Sequence, residues 1–493
     1  MAGALTHDPI TVGGGLHQTP SGGVQAGPDG VARALTASQV AAVAKGFPPR
    51  HSIGLGLLGD SITNNGYYTD AASPDGATVS AYWVEGATNN NARAMGWSTW
   101  VGPMSMQRIQ VVKSWARQTN GVLSAGSNPV GWPLSAQVTQ MLADPAYAQV
   151  DRVVILIGTN DTAFTLAAWT AGLLAQIARI GRPVDLITPP PRNDATATTA
   201  GGDSLRGWAW LQQCRLVIKR IAEASGGKVR YIDAYSKVNS PTATPDVLPA
   251  ANVLPDTIHP SNVGAYLIAD AYVAATLPDS LAGDLDIWPN NSYAGATGAA
   301  ALDQGFSNPV FATTTGGTGT GTIASGLTVT NIGTATHAGS SVTAASGIGN
   351  AQRIAITSNA AGDGVDITTT SVHASGGTFL SPGDEAFAQV MVTLNSGGIY
   401  PRNLFTRLTY FTGTNYLSLL FEVPSTAGDE KALPLTATRS FLLRTPKFIV
   451  PAGPASSVTV KMRPTFAVGG AAVGTIDISN LEVRRIRSGG VYA

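Results

Sequence analysis

Short runs of consecutive apolar residues alternate, through the first half of the chain, with longer stretches whose apolar positions recur at helical spacing. "IGLGLLG", "RVVILIG", "PVDLITPPP" and "KVRYIDAY" are of the first kind; "LAAWTAGLLAQIARIG" and "SLRGWAWLQQCRLVIKRIAEAS" are of the second. A run apolar at successive positions fits a strand buried on both faces, and the helical stretches supply the crossovers that parallel strands need. From Ile53 to about Leu277 the pattern predicts an α/β domain, a parallel sheet with helices on both faces. After Pro278 the helical period disappears, and "GLTVTNIG", "AQRIAITS", "EAFAQVMVTL", "SVTVKMRPTFAV" and "GTIDISNLEVRRI" stand between turn signals. They predict short antiparallel strands, an all-β jelly roll or β-sandwich. The first 48 residues are rich in Gly, Pro, Thr and Ala, with one helical signature, "TASQVAAVAKGF", capped by Thr36 or Ser38 and stopped by Gly46. The expected organisation is an arm with a short helix at 1–48, the α/β domain at 49–285, a linker at 286–305 and the β-sandwich domain at 306–493.

Composition narrows the function. A chain of 493 residues exceeds a single core, in line with two or three domains. Lysines plus arginines equal aspartates plus glutamates at 30 each, and 12% of residues are charged, so no electrostatic footprint for nucleic acid is present. One cysteine, Cys214, excludes an internal disulfide framework and is expected to be a small buried residue of a helix. "MAGALTHDPITVGGG" has no secretory pattern, and runs such as Val153 to Ile157 fall far short of the roughly 20 residues of a membrane span. The expectation is a soluble protein without signal peptide or membrane partner. No His-Glu-x-x-His and no paired cysteines occur, so no metal and no cofactor are expected. The glycine-rich "TTTGGTGTGTIASG" lacks the buried strand and Lys-Ser/Thr pair of a phosphate loop and is expected to be a tight-turned loop.

The chemistry concentrates where apolar runs stop. "LLGDSITN" breaks off in Gly59-Asp60-Ser61, and "RVVILIGTNDTAF" in Gly158-Thr159-Asn160-Asp161. Gly-Asp-Ser alone is a common turn, but in an open α/β sheet ligands bind outside the carboxyl ends of the strands, where Ser61 is expected. A serine nucleophile needs a base, and the chain has six histidines. His51 precedes the strand that Ser61 follows, about 30 Å away at roughly 3.3 Å per residue. His7 and His17 lie in the arm, and His337 and His373 in the β-rich half. His259 remains, at the mouth of a predicted helix in "LPDTIHPSNVGAYLIADAYVAATL", with Asp256 three residues before it to hold the imidazole. The same stretch also reads as a loop and helix cap. Asn160 can donate its side-chain amide to an oxyanion or form an Asx turn.

Gly59-Asp60-Ser61, Gly158-Thr159-Asn160-Asp161 and Asp256-Thr257-Ile258-His259-Pro260 together resemble the first, third and fifth blocks of the SGNH, or GDSL-type, hydrolase family. The resemblance covers roughly residues 50 to 280. It implies a three-layer αβα, flavodoxin-like fold, with Ser61 as nucleophile, His259 as base and Asp256 as its orienter. The family's second block, a glycine whose N–H completes the oxyanion hole, matches less well: Gly131 stands before Val138 and Met141 as the pattern expects, and Gly126 stays open as the alternative. The hole implied is the Ser61 and Gly131 amides with the Asn160 side chain, while Asp60 and Asp161 brace loops. Trp132 is a candidate to stack on a sugar; Trp83, Trp97, Trp100 and Trp115 are expected to be core.

The ester is narrowed by the rest of the chain. The β-rich half resembles jelly-roll modules, similar to carbohydrate-binding modules, attached to SGNH domains in phage tail and receptor-binding proteins. That implies an esterase removing O-acetyl groups from a host surface polysaccharide, working in a virion tail, spike or fibre after assembly in the cytoplasm. The expected partners are acetylated polysaccharide or another ester, other virion proteins through the arm, and further copies of the chain, as in a trimer. The alternatives are a virion adhesin using the domain as a glycan-binding scaffold, and a cellular lipase or thioesterase.

Overall fold

The computed structural model describes residues 16–18, 24–26, 52–64, 67–68, 91–92, 96–117, 120–125, 132–161, 163–191, 207–239, 260, 262–280, 304–370, 373–374, 379–396, 401, 403–410, 414–422, 438–445, 447–450, 457–466 and 469–486. The predicted arm helix and the linker to residue 303 lie outside them.

In the first half, strands β1 (Ile53–Gly59), β2 (Ile109–Ser114), β3 (Arg152–Leu156), β4 (Val184–Ile187) and β5 (Val229–Ile232) form one parallel sheet in the order β2-β1-β3-β4-β5. This is the doubly wound order in which the chain turns back between the first and third strands, leaving a crevice at their carboxyl ends. Among the helices are α1 (Ser61–Asn64), α2 (Trp97–Met104), α3 (Leu134–Ala143), α4 (Leu166–Arg179), α5 (Gly207–Ala224), α6 (Ala234–Val238) and α7 (Asn262–Thr276). Alternation along each strand gives the sheet two apolar faces. Leu55, Leu57, Val154 and Leu156 join a core with Trp100 of α2 and Tyr272 of α7. Leu58, Val153 and Ile155 join another with Val138 of α3, Trp169 of α4 and Ile218 of α5. The domain is a three-layer αβα sandwich, the architecture expected from the pattern.

Charge is buried away from the carboxyl edge. Arg152 grips Asp185 at 2.8 and 2.5 Å, and Tyr272 donates to the same carboxylate at 3.0 Å. Burial alone would raise the Asp185 carboxyl, but the Arg152 charge and bonds hold it below its ordinary value. Arg230, near the start of β5, donates to the Ala275 carbonyl at 2.7 Å and pairs with Asp279. These contacts pin the last turn of α7 to the amino-terminal half of the sheet. At about 1.5 Å per residue the helix then reaches back about 22 Å, so its first turn lies toward the carboxyl edge.

In the second half, β6 (Leu327–Ile332), β7 (Thr336–Thr343), β8 (Asn350–Ser358), β9 (Gly364–Thr369), β10 (Glu385–Leu394), β11 (Asn403–Tyr410), β12 (Thr414–Glu422), β13 (Arg439–Arg444), β14 (Ser457–Met462) and β15 (Ala472–Ile486) pair antiparallel. One sheet has the order β6-β9-β14-β11-β12 and the other β7-β8-β15-β10-β13. Val329, Ile367 and Met462 of the first share a core with Ile354, Val390 and Ile478 of the second, which makes a β-sandwich. The loop Thr313 to Gly326 turns on glycines 316, 319, 321 and 326, all at positive φ, and lays Gly321 against Gly339 of edge strand β7.

The two halves touch along edge strand β13. Trp100 of α2 meets Phe441 edge to face, with ring centroids 6.1 Å apart, while its other partner is Tyr266 of α7 at 5.3 Å. Gln107 donates from Nε2 to the Leu442 carbonyl at 2.6 Å, and Met106 packs on Met391 and Leu442. Met106 and Gln107 both have positive φ, 53° and 61°, which turns the chain from α2 into β2 against that edge.

Candidate active site

Two strand endings meet at the switch point. Gly59 of β1 pairs with Leu156 of β3, so Ser61 and the Gly158–Asp161 turn leave neighbouring strands at the same edge. Ser61 opens α1 and is 8% exposed. Asp60 folds its Oδ1 back onto the Ile62 N–H at 3.0 Å. A Cβ on Gly59 would sit 2.4 Å from the Leu156 carbonyl oxygen and 2.5 Å from Thr63 Oγ1, so only glycine allows this approach. Thr63 uses it to donate to the Leu156 carbonyl at 3.3 Å.

The second ending is held by Asp161. Its carboxylate accepts the N–H groups of Val122 at 2.7 Å and of Leu123 and Ser124 at 3.0 Å, and the Trp169 indole at 3.2 Å. Burial nevertheless pushes the Asp161 carboxyl above its ordinary value, since the donors around it are neutral. Asp161 therefore braces the 122–124 loop. Trp210 donates to the Gly158 carbonyl at 3.0 Å, with Gly158 at φ 136° beside Trp169. Asn160 donates one amide hydrogen to the Asn120 carbonyl at 2.9 Å. A primary amide carries two, and a second donation is what an oxyanion would require.

The sequence pattern missed Gln137. It lies on α3 and is fully buried, with Oε1 accepting from Gly59 N–H at 3.0 Å and Nε2 donating to the carbonyls of Gly59 at 3.0 Å and Trp132 at 3.2 Å. The available signal was position: a polar residue inside the apolar stripe Leu134, Val138, Met141 of α3.

Of the remaining candidates, Asp256, His259, Gly131 and Gly126 lie outside the described residues; Pro260 is buried ahead of α7. Trp132 is half-buried under the Arg117 guanidinium, 5.2 Å from its ring centroid. Trp97, Trp100 and Trp115 are fully buried core, and Cys214 is a buried free thiol. At the other strand ends, Thr188 accepts the Tyr235 N–H at 2.7 Å, and Asp233 binds Arg215 at 2.6 Å and caps α6. Those endings serve structure. In the β-rich half, His337 accepts the Thr320 N–H on Nε2 at 3.0 Å and meets Asn331 Oδ1 from Nδ1 at 2.5 Å, so it is neutral, with its proton on Nδ1. Among the described residues, no group of three His, Cys, Asp or Glu side chains could hold a metal ion, and no helix is long and apolar enough to cross a membrane.

No family model matches the chain, and no curated protein matches it. Among solved structures it is similar to a carbohydrate acetylesterase from Sinorhizobium meliloti, at 17% identity over 46% of this chain and 100% of that one, with a TM-score of 0.30. An aryl esterase from M. smegmatis has the same identity, coverage and TM-score. Carbohydrate-binding modules of the β-sandwich superfamily match at 14% identity over 32% of this chain and 56% of that one, with a TM-score of 0.22. At such identities nothing about activity passes from those proteins to this chain.

Proposed function

We propose that the chain is a serine esterase of the SGNH kind, acting on O-acetyl groups of a surface polysaccharide. The observation that carries this is the meeting of Ser61 and the Gly158–Asp161 turn at the switch point of a β2-β1-β3-β4-β5 sheet. The motif Asp256-Thr257-Ile258-His259-Pro260 stands immediately ahead of the helix whose first turn faces that edge. Ser61 Oγ attacks the acyl carbon as His259 takes its proton, and Asp256 steadies the imidazolium. The tetrahedral oxyanion takes N–H donors from Ser61 and Gly131 and the second hydrogen of the Asn160 amide. As the bond to the sugar oxygen breaks, His259 gives that oxygen the proton, so the sugar leaves as an alcohol; water, activated the same way, then releases acetate from Ser61.

The polysaccharide is supported by the β-sandwich that accompanies the α/β domain, and work within a phage-like particle by the glycine-rich arm. The test is to treat the protein with a fluorophosphonate and with O-acetylated polysaccharides. Labelling at Ser61 and acetate release, both lost in Ser61→Ala, are expected. Labelling elsewhere, or activity retained in that variant, overturns the assignment.

A further inference from the structure

We infer that Gln137 is a positioning residue that holds the nucleophile turn at Gly59 and ties it to Trp132 at the entry of α3; this rests on the esterase reading above. The paired positions of β1 and β2 end at Leu57 and Ser114, two residues before Gly59. Beyond that point Arg117 N–H still reaches the Gly59 carbonyl at 3.1 Å, and the Gly59 N–H goes to Gln137 Oε1. The side-chain amide thus stands where a strand neighbour would, gripping both backbone polar groups of the residue two before Ser61. Its orientation is fixed by chemistry: one partner donates and two accept, so Oε1 must face Gly59 N–H and Nε2 the two carbonyls.

The remaining Nε2 hydrogen goes to Trp132, adjacent to Gly131. Residues 120–124, earlier in the chain, are held by Asp161, by Asn160 and by Leu134 N–H, which donates to the Gly121 carbonyl at 2.9 Å. Gln137 connects Trp132 to Gly59 directly. An oxyanion hole assembled from two separate loops works only if their spacing is held, since a shift of about 1 Å can cost on the order of 10²-fold in rate. The expected signature is a loss in turnover rather than in substrate affinity.

The test compares wild type with Gln137→Met, which keeps an unbranched chain and removes all three bonds. Gln137→Glu keeps the acceptor for Gly59 N–H and turns an acceptor toward the two carbonyls. Folding is checked by circular dichroism, and kcat, KM and the fluorophosphonate labelling rate at Ser61 are measured with a small acetyl ester. Both variants are expected to fold, with kcat and labelling lowered together by about 10²-fold and KM little changed. An active wild type with either folded variant equal to it in kcat and labelling, whatever its melting temperature, overturns the positioning role alone. A wild type neither labelled nor active overturns the esterase reading, and this role with it.

Discussion

Replacing Phe441 with Ala should weaken the α/β domain from across the domain boundary. Phe441 is 1% exposed and sits both in the sandwich core and against Trp100. Emptying such a site costs about 3–5 kcal/mol, of which the edge-to-face pair accounts for roughly 0.5–1.5 kcal/mol. Against a total stability of about 5–15 kcal/mol that is a large fraction, and for domains of this size it lowers the thermal midpoint by roughly 6–20 °C. Sequence supplies the reporter. All nine tryptophans precede residue 289, so their emission follows the α/β half and the linker, while far-ultraviolet circular dichroism follows both halves. If the Trp100–Phe441 contact couples the halves, Phe441→Ala moves the tryptophan transition as well as the dichroism. A double-mutant cycle with Trp100→Leu then returns a coupling of the edge-to-face magnitude. A variant whose dichroism melts early while tryptophan emission stays at the wild-type midpoint would refute the coupling.

Three further outcomes follow from the site and the sandwich. Gly59→Ala forces a Cβ to 2.4 Å from the Leu156 carbonyl, so it should cost about 1–3 kcal/mol in a melt and about 10²-fold in kcat as the Ser61 turn shifts; a variant as stable and active as wild type contradicts the packing argument. Asn160→Ala should lower kcat by about 10²- to 10³-fold with KM nearly unchanged, and a rise in KM alone would make Asn160 a binding residue. Burial lowers the His337 pKa, so its contribution to stability is full above the unfolded value of about 6.5 and is lost as pH falls from there toward the folded value; an NMR titration midpoint at or above about 6.5 would overturn the sign.

The sheet was legible because its strands are apolar on both faces, and the two chemical endings were legible because each strand stops in glycine followed by polar residues. Trp97, Trp100 and Trp115 read as core and are core. What resisted reading are interactions whose partner is backbone far away in sequence. Gln137 answers Gly59 across 78 positions, and nothing in either residue's neighbours marks the pairing. Phe441 is one apolar residue in an alternating strand; the pattern says that it is buried but not that a tryptophan from another domain helps to bury it. Asp161 shows the intermediate case. The turn motif places it beside Asn160, and only the folded chain shows three successive amides converging on its carboxylate.

The braces around Ser61 share a chemical property that bears on mechanism. Gln137 and Asn160 act through neutral amides, Thr63 through a hydroxyl, and Trp169 and Trp210 through indole N–H groups. None of these gains or loses a proton between about pH 5 and 8, so these groups do not titrate over the interval in which a histidine of ordinary pKa, about 6.5, changes charge. Asp60 and Asp161 are ionisable braces; Asp161 answers neutral donors inside the protein rather than a cation at the surface, so salt should not screen its contacts as it would an exposed ion pair. On the proposed mechanism, attack by Ser61 then depends on pH through the neutral state of the base and through the Asp161 carboxyl, which burial holds above its ordinary value. On that mechanism, braces of fixed geometry keep the Asn160 amide in place when charge develops on the substrate, which is where preorganised dipoles contribute most to rate.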